Sequence, residues 1–277
     1  MSWEFFNKNQ KKWCDDLCDY YGVDEDTAFL LGSRSEGRKP SLPGSETCEP
    51  VTDMTYEDLW DLSPRETVEE ILQFQIDTGA WSAFRQSVRH KDLTELHKNI
   101  LFPFVRPSVH ICEYGCGIAP FTKTLFNEIG APNPNIKVSL TDVENCEHLN
   151  FAEWRLRKQI KEKGLNIDLE VCPVNSKSLL PKYSSKLDVA IVFEVFEHIF
   201  SPLDVMNNLV EQMNDNAVLV ENFIGDGHHH DGGGASDLES AAEEREDYYK
   251  FLDDNFVLIA GPPETQQPDA TRIWRKK

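Results

Sequence analysis

The chain has 277 residues, 40% of them hydrophobic, which is enough to bury one substantial core and a smaller accessory domain. Its 48 acidic residues outnumber 28 basic ones, and the net charge of -20 opposes binding to nucleic acid or to an anionic membrane. It has no apolar stretch that would span a bilayer and no signal-peptide pattern, so we expect a soluble cytoplasmic protein.

Residues 1–95 are predicted to form a helical accessory region with a flexible loop near residues 32–50, which are rich in glycine, proline and serine. Ser63 to Glu66 has the sequence of a capping box and predicts a helix that runs to Gly79. A further helix is expected from Ser82 to Ile100. Residues 96–277 are predicted to form a second domain.

That second domain opens on a short apolar run that ends in Glu113 and is followed by Gly115 and Gly117. Two glycines at this spacing let the backbone turn tightly and approach a ligand, which a Cβ would prevent. Pro120 suits the first position of the following helix, which Gly130 ends. The pattern is typical of a nucleotide-binding corner.

Residues 136–141 alternate between apolar and polar and predict a second strand, which carries Asp142 to the carboxyl edge of the sheet. A carboxylate at that place can bind two ribose hydroxyls or cap the next helix. Residues 167–171 predict a third strand. The continuous apolar run of residues 187–193 is typical of a central parallel strand that is buried on both faces.

Beyond this point the pattern predicts a helix that begins at Pro202, with Ser201 as its N-cap. Asn214-Asp215-Asn216 is predicted to form the turn before a fifth strand, because asparagine and aspartate tolerate the left-handed conformation. The remaining predicted elements are strand five at residues 217–224, a helix with an apolar stripe over 238–252, and two last strands at 255–260 and 271–275.

The identity of the cofactor depends on one position. A dinucleotide-binding fingerprint needs a small third residue where this chain has Pro120, so pyrophosphate binding is disfavoured. The alternative pattern E-x-G-x-G-x-A, at Glu113 to Ala119, resembles motif I of the class I S-adenosylmethionine-dependent methyltransferases. Glu194 to Ile199 is similar to that family's signature after strand four. The resemblance implies an α/β fold with a Rossmann-like, seven-stranded, mostly parallel sheet, an antiparallel C-terminal hairpin and an N-terminal helical lid.

The resemblance also implies roles for residues. Asp142 would bind the ribose, Glu113 would orient the glycine loop, and Glu194 would lie beside the methionine end of the cofactor, or face solvent instead. Asn175 stands where the family usually has an aspartate that contacts the adenine, and a turn role is the alternative. The full set of predicted cofactor-binding residues is Glu113, Tyr114, Gly115, Cys116, Gly117, Asp142, Val143, Asn175, Phe193 and Glu194.

A loop with three consecutive histidines, His228, His229 and His230, follows strand five, where an open α/β sheet binds its ligands. Three interpretations are open. One histidine acts as a general base, two of them bind a divalent metal together with Asp226 or Asp231, or the loop is merely mobile. The catalytic candidates are these histidines and Glu194; we assign no resident metal site.

The function that follows is methyl transfer from S-adenosylmethionine to the oxygen or nitrogen of a small molecule, with S-adenosylhomocysteine as product. A non-catalytic S-adenosylmethionine-binding or scaffolding protein is the alternative. A NAD-dependent oxidoreductase is a third hypothesis, which Pro120 disfavours. In related enzymes N-terminal helices form a lid, so Trp81, Phe84 and Arg85 either line the pocket or pack on the sheet. The sequence does not specify the acceptor or the oligomeric state.

Overall fold

The computed structural model describes residues 8–28, 62–89, 102–130, 132–223, 238–264 and 270–277. The chain divides into two compact units. The first comprises Met1–Pro103, Gly117–Ala131 and Glu144–Leu165, and the second comprises Phe104–Cys116, Pro132–Val143 and Asn166–Lys277. No helix in the described part of the chain is long and apolar enough to cross a membrane.

The second unit contains a seven-stranded sheet. Its strands are β1 (His110–Tyr114), β2 (Ile136–Thr141), β3 (Ile167–Val171), β4 (Leu187–Phe193), β5 (Met213–Asn222), β6 (Phe256–Ala260) and β7 (Arg272–Lys276). They lie in the order β3-β2-β1-β4-β5-β7-β6. Neighbours among β1 to β5 are parallel, whereas β7 is antiparallel to both β5 and β6. The prediction of a mostly parallel sheet with an antiparallel C-terminal hairpin is confirmed.

The described part of the chain contains six α-helices. They are α1 (Lys8–Tyr21), α2 (Val68–Arg89), α3 (Pro120–Glu128), α4 (Glu147–Lys163), α5 (Pro202–Gln212) and α6 (Glu239–Asn255). The first four belong to the first unit, and α5 and α6 belong to the second, where they pack against each other. Pro120 and Pro202 occupy the first helical turn as predicted, although Ser201 makes no side-chain capping bond.

Strand five begins earlier than predicted. It starts at Met213, so the predicted turn at Asn214 to Asn216 lies inside the strand. The pairing steps from Leu187–Met213 directly to Val189–Val218, which bulges β5, and Asn216 takes the left-handed conformation with φ of +61°. The prediction that an asparagine here accepts the left-handed conformation is confirmed. Met213 is buried and pairs with Leu187, so the strand begins before the predicted turn.

The N-terminal helices also differ from the prediction. The capping box is formed by Thr67 and Glu70: the Glu70 N–H donates to Thr67 Oγ1 at 3.3 Å, and the Thr67 N–H donates to Glu70 Oε2 at 3.1 Å. Ser63 to Glu66 is therefore not the box. One helix, α2, continues through Gly79, where two were predicted. Residues 90–100 and the loop at 32–50 lie outside the described part of the chain.

Gly79 allows a close approach within the first unit. A Cβ at this position would lie 2.7 Å from the Sγ of Cys146 and 2.9 Å from the backbone nitrogen of Glu147. The first turn of α4 therefore packs directly on the backbone of α2. The glycine is required for helix packing, which explains why it does not end the helix.

The first unit has its own apolar core. It is built from buried residues of α1, the segment after it, α2, the glycine loop and α4, namely Leu17, Ala28, Ala83, Ile118 and Phe151. Tyr20 and Trp154 pack on this core, and the Tyr20 ring lies edge-on to the Phe151 ring with their centroids 5.3 Å apart. The N-terminal helices are therefore joined to α4 by burial of aromatic surface.

Candidate functional site

The chain turns sharply at the carboxyl end of β1. Gly115 has φ of +63°, and a Cβ added to it would lie 2.3 Å and 2.7 Å from the two methyl carbons of Val195. Directly after it, the Cys116 N–H donates to the carbonyl oxygen of Thr141 at 3.0 Å, which joins the end of β1 to the end of β2. Only glycine satisfies both the conformation and the space at position 115.

Two buried carboxylates flank this turn. Glu113 is 3% exposed and Asp142 is 8% exposed. Burial raises the pKa of the Cys116 thiol well above its ordinary value, and the charges of Asp142 and Glu113 raise it further. Both carboxylates therefore lie near the Cys116 thiol, next to the glycine turn.

Asp142 follows β2 directly, as predicted. Its Oδ1 accepts a hydrogen bond from the Val143 N–H at 2.7 Å, which orients the carboxylate on its own backbone. The alternative role of capping the next helix is wrong, because the N-cap of α4 is Cys146. Burial and the charge of Asp142 raise the pKa of Tyr114, whose hydroxyl donates to the carbonyl oxygen of Leu179 at 2.8 Å.

Val143 and Asn175 lie beyond β2 and β3. Val143 pairs with Val174 in an isolated parallel bridge, and the Val174 N–H donates to the Asp142 carbonyl oxygen at 2.9 Å. The Oδ1 of Asn175 accepts from the Lys177 N–H at 3.0 Å. The structure thus shows a local turn interaction for Asn175, and contact with an adenine stays a prediction.

The backbone is also left-handed at the end of β4. Glu194, which follows Phe193, has φ of +52° and an exposed side chain. Its N–H donates to the Oδ1 of Asn222 at 2.7 Å, and Asn222 is a buried residue that ends β5. This side-chain bond holds a non-glycine residue in a conformation that costs about 1–2 kcal/mol.

We expect Glu194→Gly to raise the free energy of unfolding by roughly 1 kcal/mol, since glycine adopts this φ without strain. Chemical denaturation measures the change. A matched control is Glu243→Gly in the exposed middle of α6, which should lower stability by about 1 kcal/mol because glycine is a poor helix former. Equal destabilisation by both variants would contradict strain at Glu194.

The remaining predicted residues belong to the first unit or lie outside the described part of the chain. Gly117 belongs to the first unit and has φ of +51°. The histidines His228 to His230 lie outside the described residues, as do the side chains of Trp81, Phe84 and Arg85. Within the described ranges no group of three or more histidine, cysteine, aspartate or glutamate side chains is arranged to hold a metal ion.

Sequence reasoning missed two residues that shape the site in the second unit. Val195 occupies the space beside Gly115, and Asn222 holds the backbone of Glu194. Neither contact has a local sequence signal, because each joins segments that are far apart in the chain. The only hint for Val195 is its place inside the segment Glu194 to Ile199.

The chain has the Rossmann-like fold seen in class I S-adenosylmethionine-dependent methyltransferases. The solved structure of the CurJ carbon methyltransferase is similar with a TM-score of 0.50 and 13% identity, over 96% of this chain and 70% of that one. No protein-family model matches the chain, and no curated protein matches it in sequence.

Two further solved structures are similar at a lower level. The small RNA methyltransferase HEN1 has a TM-score of 0.48 and 12% identity over 66% of this chain, which spans only 25% of that protein. The O-methyltransferase TomG from Streptomyces achromogenes, involved in tomaymycin synthesis, has a TM-score of 0.45 and 14% identity over 78% of this chain and 92% of that one.

Proposed function

We propose that this protein binds S-adenosylmethionine at the carboxyl edge of its sheet and transfers the methyl group to an oxygen or nitrogen of a small molecule. The observation that carries the proposal is the turn at Gly115, which has no room for a Cβ and is flanked by the buried Asp142. A glycine at such a turn lets the backbone come close to a ligand, and a carboxylate at the end of the next strand suits a ribose.

The residues of the chain would divide the work of binding. Asp142 would accept hydrogen bonds from the ribose hydroxyls, and its bond to the Val143 N–H already orients it for that role. Glu113 would orient the glycine turn, and the exposed Glu194 would lie at the methionine end. When bound, the sulfonium supplies a methyl group with a good leaving group already attached. The protein then has to align the acceptor and exclude water.

The proposed acceptor is a small neutral or cationic molecule. The net charge of -20 repels polyanions such as RNA unless a local basic groove offsets it. As the new bond to carbon forms and the carbon–sulfur bond breaks, an O–H or N–H acceptor loses a proton. One of His228 to His230 would accept that proton, because an imidazole titrates near neutral pH.

Asp142→Asn is expected to weaken binding of S-adenosylmethionine by about 10- to 100-fold, since a hydrogen bond to a charged group contributes about 1.5–3 kcal/mol. Calorimetric titration with S-adenosylmethionine, S-adenosylhomocysteine and NAD measures this. The control is Asp168→Asn on β3, an exposed carboxylate that should change nothing. If the unmodified protein binds neither sulfur compound, the proposed function is wrong.

The same titrations separate the alternatives. Binding of NAD alone would favour an oxidoreductase. Binding of S-adenosylmethionine, followed by no formation of S-adenosylhomocysteine with any nucleophilic small molecule offered, would favour a binding or scaffolding protein. Single alanine variants of the three histidines, assayed with and without a chelator, then distinguish a general base from a metal ligand.

A further inference from the structure

The second half of the glycine loop, Gly117 to Ala119, lies in the first unit and has an unusual backbone. Gly117 and Ala119 are both left-handed, with φ of +51° and +52°. Ile118 between them is fully buried in the core of that unit. Ala119 is also the N-cap of α3, and its carbonyl oxygen accepts from the Lys123 N–H at 3.0 Å. Ala119 is not glycine, so its left-handed conformation is unfavourable and other groups must hold this loop.

Gln86 on α2 is one of those groups. Its Nε2 donates to the Oγ of Ser82 at 3.1 Å, one turn earlier on the same helix, which directs Oε1 toward the loop. Oε1 accepts from the Ile118 N–H at 3.4 Å. A Cβ at Gly117 would lie 2.8 Å from the same oxygen, so the amide lies directly against the glycine.

Arg155 on α4 is the other group. It is 1% exposed, and its Nη2 donates to the carbonyl oxygen of Ile118. Its guanidinium lies over the ring of Phe151, 5.0 Å from the centroid, in the core of the first unit. Side chains from two helices therefore bind the N–H and the carbonyl oxygen of one loop residue.

We propose that Gln86 and Arg155 are positioning residues that set the conformation of the loop Gly117 to Ala119, and that α2 thereby controls the affinity for S-adenosylmethionine. The proposal rests on the proposed function. It assigns α2 a role that acts through the backbone of the glycine loop. Neither Gln86 nor Arg155 touches reacting atoms in this account.

Gln86→Leu removes the acceptor and keeps the size of the side chain, so S-adenosylmethionine should bind about fivefold more weakly, as expected for one lost neutral hydrogen bond. Gln86→Glu keeps an acceptor oxygen and should restore most of the affinity. Gln73→Leu is the matched control, because Gln73 is exposed on the same helix and bonds only to Asp77, at 2.9 Å, among the contacts resolved. Calorimetric titration well below the unfolding temperature measures all four proteins.

Equal affinity of Gln86→Leu and the unmodified protein would overturn the proposal while leaving the proposed function intact. A double-mutant cycle of Gln86→Ala and Gly117→Ala, followed by chemical denaturation, tests the contact without any cofactor. The two changes should be non-additive, because shortening Gln86 makes room for the new Cβ. Additive effects on unfolding would overturn the contact even if the protein bound no S-adenosylmethionine.

Discussion

Gly115→Ala should abolish measurable binding of S-adenosylmethionine. The new Cβ would lie 2.3 Å from one methyl carbon of Val195 and 2.7 Å from the other. Valine is branched at Cβ and stiff in χ1, so it cannot turn both methyl groups away. The left-handed conformation, with φ of +63°, adds about 1–2 kcal/mol for any residue with a Cβ. The turn after β1 must therefore move away from the segment that follows β4.

Gly164→Ala separates the conformational cost from the collision. Gly164 ends α4 with φ of +62°, and nothing lies within 4 Å of an added Cβ. This control should lose about 1 kcal/mol of stability and keep its affinity for the cofactor. The double variant Gly115→Ala with Val195→Ala should recover part of the binding. Gly115→Ala that titrates like the unmodified protein would contradict the importance of this contact.

The elements with regular hydrophobic patterns could be predicted from the sequence. Strands β2, β3 and β4 have the predicted bounds because alternation or a continuous apolar run has a clear beginning and end there. Asp142 was placed at the end of β2 for the same reason, since a residue that follows a strand lies at its carboxyl edge. The glycine turn was found because its conformation restricts the residue type.

Other features depend on partners that a local pattern does not contain. Gly79 was interpreted as the end of a helix, yet the close approach of Cys146 is what requires it. Val195 and Asn222 shape the site through contacts with residues 80 and 28 positions away, so spacing does not reveal them. Gln86 was missed because a glutamine on a helix has no distinctive pattern. Local reasoning therefore found the residues of the glycine turn and the end of β2, and it missed the residues that hold the backbone around them.

A buried charge network supports the carboxyl end of β5. Glu221 and Arg272 are cross-strand partners on β5 and β7, both 0% exposed, and Arg272 Nη1 lies 4.0 Å from Glu221 Oε1. The Trp274 Nε1–H donates to the same oxygen at 2.9 Å, and the Phe223 N–H donates to the other at 2.9 Å. Burial raises the pKa of Glu221, while the bonds from Trp274 and the charge of Arg272 oppose that rise. The network adjoins Asn222, which holds Glu194.

Glu221→Leu should lower the free energy of unfolding by about 3–5 kcal/mol, because it leaves the charge of Arg272 buried and uncompensated. The contrast is Glu153→Gln, which removes a partly exposed pair with Arg157 at 2.7 Å on α4 and should cost no more than about 0.5 kcal/mol. Denaturant titration, monitored by tryptophan fluorescence, measures the free energy of unfolding of both variants.

The double variant Glu221→Leu with Arg272→Met tests whether the cost comes from the unpaired charge. Replacing both partners by apolar side chains should destabilise by less than the sum of the two single changes, because neither charge is then left alone. Arg272 also donates to Tyr249 and to two backbone carbonyls, so recovery will be incomplete. Strict additivity would mean that the two charges do not interact. Glu221 would then act on the end of β5 through the hydrogen bonds that it accepts from Trp274, Phe223 and Tyr249.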